Sequence, residues 1–255
     1  MKGTGRASLE HHNVNETASP SGLRASPRRR GRDHRGVLTH GLAPLAPVAP
    51  PVARAIGVPR RLPAAAGVAI TFDDGPHPEG TPAVLEVLAG AGARATFFLV
   101  GEQVERRPQL ATRIAAAGHA IALHGHRHRL QLRMSAAEVA ADLARGAAAI
   151  AEATGRRPRL HRPPYGIYSG AGLRAAREAG FEPLLWSRWG KDWRRFTTPR
   201  RIAARATRDV TAGDVILLHD ADFYSSRHSH RRTVAALPTI LSLLRSAGLD
   251  TVLPA

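Results

Sequence analysis

The chain has 255 residues and no cysteine, and its 37 lysines and arginines against 20 aspartates and glutamates give a formal net charge of +17. The lack of cysteine excludes a disulfide scaffold, a thiolate zinc site, a cysteine nucleophile and an iron–sulfur cluster. A chain of this length can bury a core without such cross-links, and it has no apolar stretch long enough to predict a transmembrane segment.

The positive charge is carried almost entirely by arginine, since Lys2 and Lys191 are the two lysines of the chain. A strongly basic chain favours polyanions through counterion release. A solvated arginine surface is the simpler interpretation. Residues 1–61 hold 11 basic and 3 acidic residues but no aromatic residue on which bases could stack. We therefore expect no specific nucleic-acid partner.

The first 61 residues differ in composition from the rest. Residues 1–36 are polar and rich in arginine, serine and glycine, which predicts a disordered basic tail. Residues 37–61 predict a proline-rich arm or linker, non-helical because four prolines interrupt residues 37–58. With the basic run 28–30 upstream, this stretch faintly resembles a signal peptide, and a start placed too far upstream is another explanation. No clear signal peptide is present, so the sequence favours a cytoplasmic location, with the cell envelope or the exterior left open.

Short apolar runs alternate with helical stretches from Val68 onward. The predicted strands are Val68–Phe72, Ala95–Val100, Ala120–Leu123, Arg159–His161, Pro183–Trp186, Val215–His219 and Thr251–Leu253. The predicted helices lie near 82–91, 102–117, 135–153, 170–179, 198–210 and 232–247, and several end at glycine. This alternation predicts an α/β fold of about seven parallel strands, either an irregular (β/α) barrel or an open doubly wound sheet.

Two adjacent aspartates follow the first predicted strand, in the run Thr71-Phe72-Asp73-Asp74-Gly75-Pro76. Alternation along a strand would point neighbouring carboxylates to opposite faces, whereas a tight turn past the strand end can bring them together. A cation bound by one carboxylate would keep the other ionised as a base. The alternative is an Asx turn in which one aspartate caps the next helix.

His124 and His128 follow the third predicted strand at a spacing that places both imidazoles on one face of a helical turn. The alternative is a basic, histidine-rich loop, and His126 could compete as a ligand. With one aspartate, two histidines make a 2-His-1-carboxylate site that leaves positions open for water and substrate.

Five motifs therefore stand at or after predicted strand ends: Thr-Phe-Asp-Asp-Gly-Pro (71–76), His-x-x-x-His (124–128), Arg-Pro-Pro-Tyr (162–165), Asp-Trp (192–193) and Leu-x-His (217–219). In this order they resemble the polysaccharide deacetylases, the family of the NodB homology domain or carbohydrate esterase family 4. The resemblance covers about residues 68–253 and implies a NodB-like distorted (β/α) barrel. We expect the catalytic domain to occupy residues 62–255.

The resemblance implies a metal centre with a base beside it. One divalent metal ion, expected to be zinc, would be bound by Asp74, His124 and His128. Asp73 would be the general base, and Arg162 would orient it through an ion pair.

The resemblance also assigns the remaining groups of the site. The backbone N–H of Tyr165 would help to bind the oxyanion. Trp193 would wall the groove and Leu217 would line the acetyl pocket. His219 would be the general acid, with Asp192 tuning the charges around it.

The implied function is metal-dependent removal of N-acetyl or O-acetyl groups from a carbohydrate such as peptidoglycan or chitooligosaccharide. Two alternatives stay open: hydrolysis of a non-sugar C–N bond, or a non-catalytic carbohydrate or nucleic-acid binding protein. One departure from the family pattern bears on the site. Gly125 stands where the family usually has serine or threonine, which puts the rigidity of the ligand loop in question. The sequence carries no expectation about oligomeric state.

Overall fold

The computed structural model describes residues 41–63 and 67–254. The predicted tail, residues 1–36, lies outside them. Within the described residues the strands are β1 (Ala69–Asp73), β2 (Thr96–Leu99), β3 (Ala120–Leu123), β4 (Leu160–His161), β5 (Glu182–Pro183), β6 (Arg188–Trp189) and β7 (Val215–His219). They form one sheet in the order β5-β4-β3-β2-β1-β7-β6. Every paired neighbour is parallel, which confirms the predicted α/β class with seven parallel strands.

The central strands of the sheet are fully buried. All five residues of β1 are buried, as are all four of β2. Such continuous burial is typical of parallel strands, and it explains why these strands read as unbroken apolar runs rather than alternating ones. The short outer strands curl the sheet into a half-barrel, the distorted barrel that the sequence predicted.

The helices of the described residues are α1 (Pro50–Ala55), α2 (Gly80–Gly90), α3 (Gly101–Arg106), α4 (Pro108–Ala116), α5 (Ala136–Thr154), α6 (Gly170–Glu178), α7 (Pro199–Ala206) and α8 (Ser229–Ser246). Short 3₁₀ turns occupy Ala43–Leu45, Gln131–Arg133 and Pro164–Gly166. The longest helix, α5, begins at a capping box between Ser135 and Glu138 and ends at Gly155 in a left-handed conformation. None of these helices is both long and apolar enough to cross a membrane.

Three predicted elements need correction. The predicted helix 102–117 is two helices, because Pro108 cannot continue α3 and instead begins α4. The predicted strand Thr251–Leu253 is wrong, since Thr251 forms a single bridge to Val68. The seventh strand is instead β6, and the predicted strand Pro183–Trp186 overlaps β5 at Pro183 alone.

The described part of the proline-rich arm contains a short helix, α1, contrary to the expectation of a non-helical segment. Pro50 and Pro51 occupy the first turn of α1, where the missing N–H group costs no hydrogen bond. The arm buries Ala43, Ala53 and Ile56 in the same hydrophobic core as the sheet.

The register of the sheet decides which side chains meet at its carboxyl edge. Asp73, the last residue of β1, lies opposite His219, the last residue of β7. On the other side of β1, the ends of β2 and β3 bring Leu123 next to His161 of β4. Because the carboxyl ends of parallel strands share one edge, the loops after β1, β3, β4 and β7 meet there.

Candidate active site

A cavity of about 270 Å³ opens at this edge of the sheet. Eight of the ten predicted site residues line it: Asp73, Asp74, His124, His128, Tyr165, Trp193, Leu217 and His219. The other two, Arg162 and Asp192, are fully buried behind it. The lining also includes Gly166, Trp186, Trp189, Tyr224 and Ser225, which the sequence had not assigned to the site.

The two aspartates reach the same cavity because the chain turns between them. Asp73 ends β1, and Asp74 takes a left-handed backbone conformation with φ of 79°. This conformation breaks the alternation of a strand, and aspartate tolerates it better than most residues. Both carboxylates are nearly inaccessible to solvent.

Asp74, His124 and His128 converge on one point. Asp74 Oδ1 lies 3.5 Å from His124 Nε2 and 3.2 Å from His128 Nε2. This oxygen is buried and has no hydrogen-bond partner among the described residues. Burial favours a higher pKa for Asp74, but the two facing imidazoles outweigh it and hold the pKa below its ordinary value.

The tautomer of His124 fits a metal ligand. Its Nδ1 lies 2.8 Å from the carbonyl oxygen of Arg162. A carbonyl only accepts hydrogen bonds, so Nδ1 carries the proton and Nε2 presents a lone pair toward Asp74. Two imidazole nitrogens and one carboxylate suit a divalent ion such as zinc. A metal ion bound by these groups would supply the partner that the buried Oδ1 of Asp74 lacks.

His128 is fixed by aromatic contacts. Its ring stacks on Tyr224 with centroids 4.1 Å apart and the planes 7° from parallel, and the edge of Tyr165 packs 4.7 Å away. The hydroxyl of Tyr224 donates to Glu102 Oε1 at 2.8 Å. Tyr224 thus orients a candidate ligand. The only signal for it in the sequence was its place in the long loop after β7.

Arg162 holds Asp73 from behind. Its Nη1 donates to Asp73 Oδ1 at 2.6 Å, while Nε and Nη2 donate to the carbonyls of Leu184 and Leu185. Burial lowers the pKa of the Arg162 guanidinium, and the Asp73 carboxylate partly offsets that effect. With Oδ1 engaged, Asp73 presents Oδ2 to the cavity, 3.8 Å from His124 Nε2.

His219 is held by Asp192. Oδ2 of Asp192 accepts the backbone N–H of His219 and the hydroxyl of Thr233, each at 2.7 Å. Oδ1 lies 3.0 Å from His219 Nδ1, so the ring turns Nε2 toward the cavity. Burial lowers the pKa of His219, but the Asp192 carboxylate more than reverses this and, with Asp74 and Asp73, raises the pKa to about 10.

The tight conformation of the ligand loop explains Gly125. It takes a left-handed conformation with φ of 83°, which strains any residue with a Cβ, and a Cβ there would meet Asp142 Oδ2 at 2.9 Å. Asp142 of α5 supplies the rigidity instead, because it accepts the backbone N–H groups of His126 and Arg127 at 2.8 and 3.0 Å. The ring of His126 points away from Asp74 and lies 4.0 Å from Glu105.

A second histidine cluster lies beside the site. His77 Nε2 is 3.2 Å from Asp222 Oδ1, and His230 Nδ1 is 3.4 Å from Asp222 Oδ2. However, His77 Nδ1 accepts the backbone N–H of Gly80 at 2.9 Å. A neutral ring that accepts at Nδ1 carries its proton on Nε2. Since burial lowers the pKa of His77 and favours that neutral ring, we interpret this cluster as a support for the loop after β7 rather than a metal site.

Three tryptophans form an aromatic wall of the cavity. The ring centroids of Trp186 and Trp189 lie 5.8 Å apart, and those of Trp189 and Trp193 lie 5.5 Å apart. Trp193 meets the ring of His219 edge-on at 5.4 Å. Such an aromatic wall is suited to the flat apolar faces of sugar rings.

Comparisons with known proteins identify relatives of this chain. A family model described as "Polysaccharide deacetylase" matches residues 63–184. A peptidoglycan-N-acetylglucosamine deacetylase of Bacillus cereus is 37% identical over 183 residues, which cover 71% of this chain and 83% of that protein. A chitooligosaccharide deacetylase of a Bradyrhizobium strain is 34% identical over 190 residues, covering 72% of this chain and 86% of that protein.

A solved structure extends the likeness to the fold. The crystal structure of a peptidoglycan N-acetylglucosamine deacetylase in complex with an N-hydroxybenzamide compound superposes with a TM-score of 0.71 at 31% sequence identity. The match covers 76% of this chain and 89% of that chain.

Proposed function

The chain belongs to the polysaccharide deacetylase family, and we propose that it is a metal-dependent hydrolase that removes acetyl groups from N-acetylated carbohydrate. One observation carries the proposal. The cavity is lined by the Asp73 carboxylate, next to the Asp74, His124 and His128 cluster, and by the His219 imidazole, which a second carboxylate holds. One substrate in this cavity would therefore meet both a candidate base and a candidate acid.

The metal centre would be formed by Asp74, His124 and His128. A divalent ion bound there, with zinc the choice favoured by the ligand types, would polarise the acetyl carbonyl and make a water molecule more acidic. Asp73 would accept the proton of the attacking water at Oδ2, because Arg162 occupies Oδ1.

The tetrahedral oxyanion would meet the backbone N–H of Tyr165. That residue stands in the short 3₁₀ turn after β4 in a left-handed conformation with φ of 63°. N–H groups in the first turn of a helix lack intrahelical acceptors, so this one is free to donate. Leu217, buried at the base of the cavity, would contact the acetyl methyl group.

Collapse of the tetrahedral species breaks the C–N bond. His219 would donate a proton from Nε2 to the departing amine, giving acetate and a free amino sugar. Asp192 keeps the ring charged and correctly turned through its contact with Nδ1. The names of the relatives make peptidoglycan and chitooligosaccharides the substrates of first interest.

The experiment is acetate release from a panel of glycans by metal-stripped protein reconstituted with zinc. We expect activity to vanish with a chelator and return with about one equivalent of zinc per chain. Arg174→Gln, an exposed change on α6, serves as the matched control for folding. Protein that binds one zinc ion yet releases acetate from no N-acetylated glycan would contradict the proposal.

A further inference from the structure

A second cavity of about 290 Å³ adjoins the catalytic one. Its lining is mostly basic: Ser187, Arg188, Trp189, Lys191, Arg205 and Arg208. Trp189 lines both cavities, so they are neighbours at this residue. A substrate that extends from the catalytic cavity past Trp189 would contact these basic side chains.

The positive charge of this cavity is only partly balanced. The segment from Arg188 to Arg208 contains eight basic residues and one acidic residue, Asp192. Asp192 is buried, and its oxygens are engaged by His219 and Thr233. Its charge is therefore directed into the protein and not to the cavity.

The side chains that line the cavity have few acidic partners. Arg188 pairs with Asp214, which also pairs with Arg61. Within residues 41–63 and 67–254, Lys191, Arg205 and Arg208 form no ion pair with a carboxylate. Lys191 and Arg205 are half-buried, so solvent screens their charges less than those of a fully exposed side chain. A concave surface of one sign concentrates ligands of the opposite sign.

The aromatic wall leads from the candidate acid to these cations. Trp193 packs against His219, and Trp189 follows it at 5.5 Å. The Lys191 ammonium lies 4.6 Å from the centre of the Trp189 ring. A sugar held against Trp193 for deacetylation would place its neighbour against Trp189, with substituents of that neighbour near the Lys191 ammonium.

We propose that Lys191, Arg205 and Arg208 form a cationic subsite that binds a carboxylate carried by the sugar next to the one being deacetylated. The inference rests on the proposed function and narrows its substrate class. Peptidoglycan-type glycans fit this subsite where the lactyl group of their alternate sugars is a free carboxylate and carries no stem peptide. Neutral chitooligosaccharides leave it unfilled.

The test compares three tetrasaccharides of equal length on the zinc-loaded protein. They are alternating N-acetylglucosamine and N-acetylmuramic acid with free carboxylates, the methyl ester of the same glycan, and chitotetraose. We expect kcat/KM for the free acid to exceed that for the ester about 3–10-fold at low salt, and the difference to shrink as sodium chloride is added. A fourth glycan with a stem peptide on the lactyl group tests whether a more distant carboxylate serves as well.

Single variants assign the effect to the subsite. Lys191→Gln and Arg205→Gln should each raise KM for the free acid and leave the ester and chitotetraose unchanged. Arg113→Gln, which removes an exposed arginine on α4, is the matched control and should change none of the three. Equal losses on acid and ester would overturn the subsite, because they would assign the residues to the fold or to the shared groove.

The outcomes separate this inference from the proposed function. Wild-type protein that deacetylates acid and ester equally well would refute the subsite and leave the deacetylase activity standing. Protein that releases acetate from none of the glycans would refute the proposed function itself. A preference for the stem-peptide glycan over the free acid would refute the lactyl carboxylate as the bound group.

Discussion

The contact between Asp192 and His219 allows a quantitative test of the candidate acid. A general acid works only while it is protonated, so the rate of amide hydrolysis should fall as pH rises through the pKa of His219. Burial lowers that pKa, but the Asp192 carboxylate 3.0 Å from Nδ1 more than reverses the effect and raises the pKa to about 10. Asp192→Asn removes this charge and leaves the burial, so the pKa should fall.

The size of the effect follows from the same contacts. An ordinary histidine titrates near 6.5, so the nearby carboxylates together raise this pKa by more than the interval from 6.5 to about 10, because they also offset burial. Asp74 and Asp73 contribute part of this increase, and a bound metal ion would cancel the charge of Asp74. We therefore expect the basic limb of the kcat profile to move down by about 1–3 pH units in Asp192→Asn, the range typical of one close charge.

The assay is the pH dependence of kcat for acetate release from an N-acetylated glycan, with zinc content measured at each pH. Thr233→Val is the matched control, because it removes a hydrogen bond to Asp192 Oδ2 and keeps the carboxylate. It should move the limb much less. A basic limb at the same pH in wild type and in Asp192→Asn would refute the assignment of His219 as the acid.

The roles of the other groups give further expectations. His219→Ala should lower kcat/KM on an N-acetyl sugar roughly 10²–10⁴-fold and hurt an aryl acetate far less, because a good leaving group hardly needs protonation; equal losses would remove it from the acid role. Asp73→Asn should slow both substrates alike while zinc, measured by mass spectrometry, stays bound, and loss of zinc would exchange the roles of the two aspartates. Asp74→Asn should weaken zinc binding in a titration against a competing chelator, whereas unchanged affinity would exclude it as a ligand. Arg162→Met should destabilise the fold by about 3–5 kcal/mol in urea unfolding, since it leaves the Asp73 carboxylate buried and unpaired, and a variant of wild-type stability would contradict that reading of the ion pair.

The long apolar elements of the fold were predictable from the sequence, and the short polar ones were not. β1 and β7 each have five residues, four or five of them buried, so they appear as apolar runs. β6 is the half-buried pair Arg188–Trp189, which carries no strand signal. The apolar segment Thr251–Leu253 looks like a strand, yet it reaches the sheet at a single bridge. Apolar character predicts that a segment is buried. Whether the segment also pairs as a strand depends on whether it lies beside an unpaired edge of the sheet.

The candidate site was predictable where chemistry and strand ends coincide. Asp73, His124 and His219 each stand at or directly after a strand. Functional side chains of α/β proteins gather at the carboxyl ends of parallel strands, so the sequence predicted that these three residues lie close together. Tyr224 could not be found in this way, because it lies in an irregular loop and reaches His128 by the path of that loop. The sequence also did not show that Asp142 replaces the hydroxyl group that is missing at position 125. Asp142 is distant in sequence, and it contacts the loop by accepting hydrogen bonds from backbone N–H groups.

The arm that packs beneath the site has a consequence for how the protein is made. The guanidinium of Arg60 donates to the carbonyl of Trp186, a residue 126 positions later in the chain. The neighbouring Leu185 donates its N–H to the carbonyl of Pro59 and accepts from Arg162, which in turn holds Asp73. During translation the arm is synthesised before these partners. Ile56 and Val58, which are buried in the folded protein, therefore stay exposed until the partners have been synthesised. The candidate base and the segment that braces it are thus synthesised before the residues that position them, so folding of this edge is completed only after residues 184–186 have been translated.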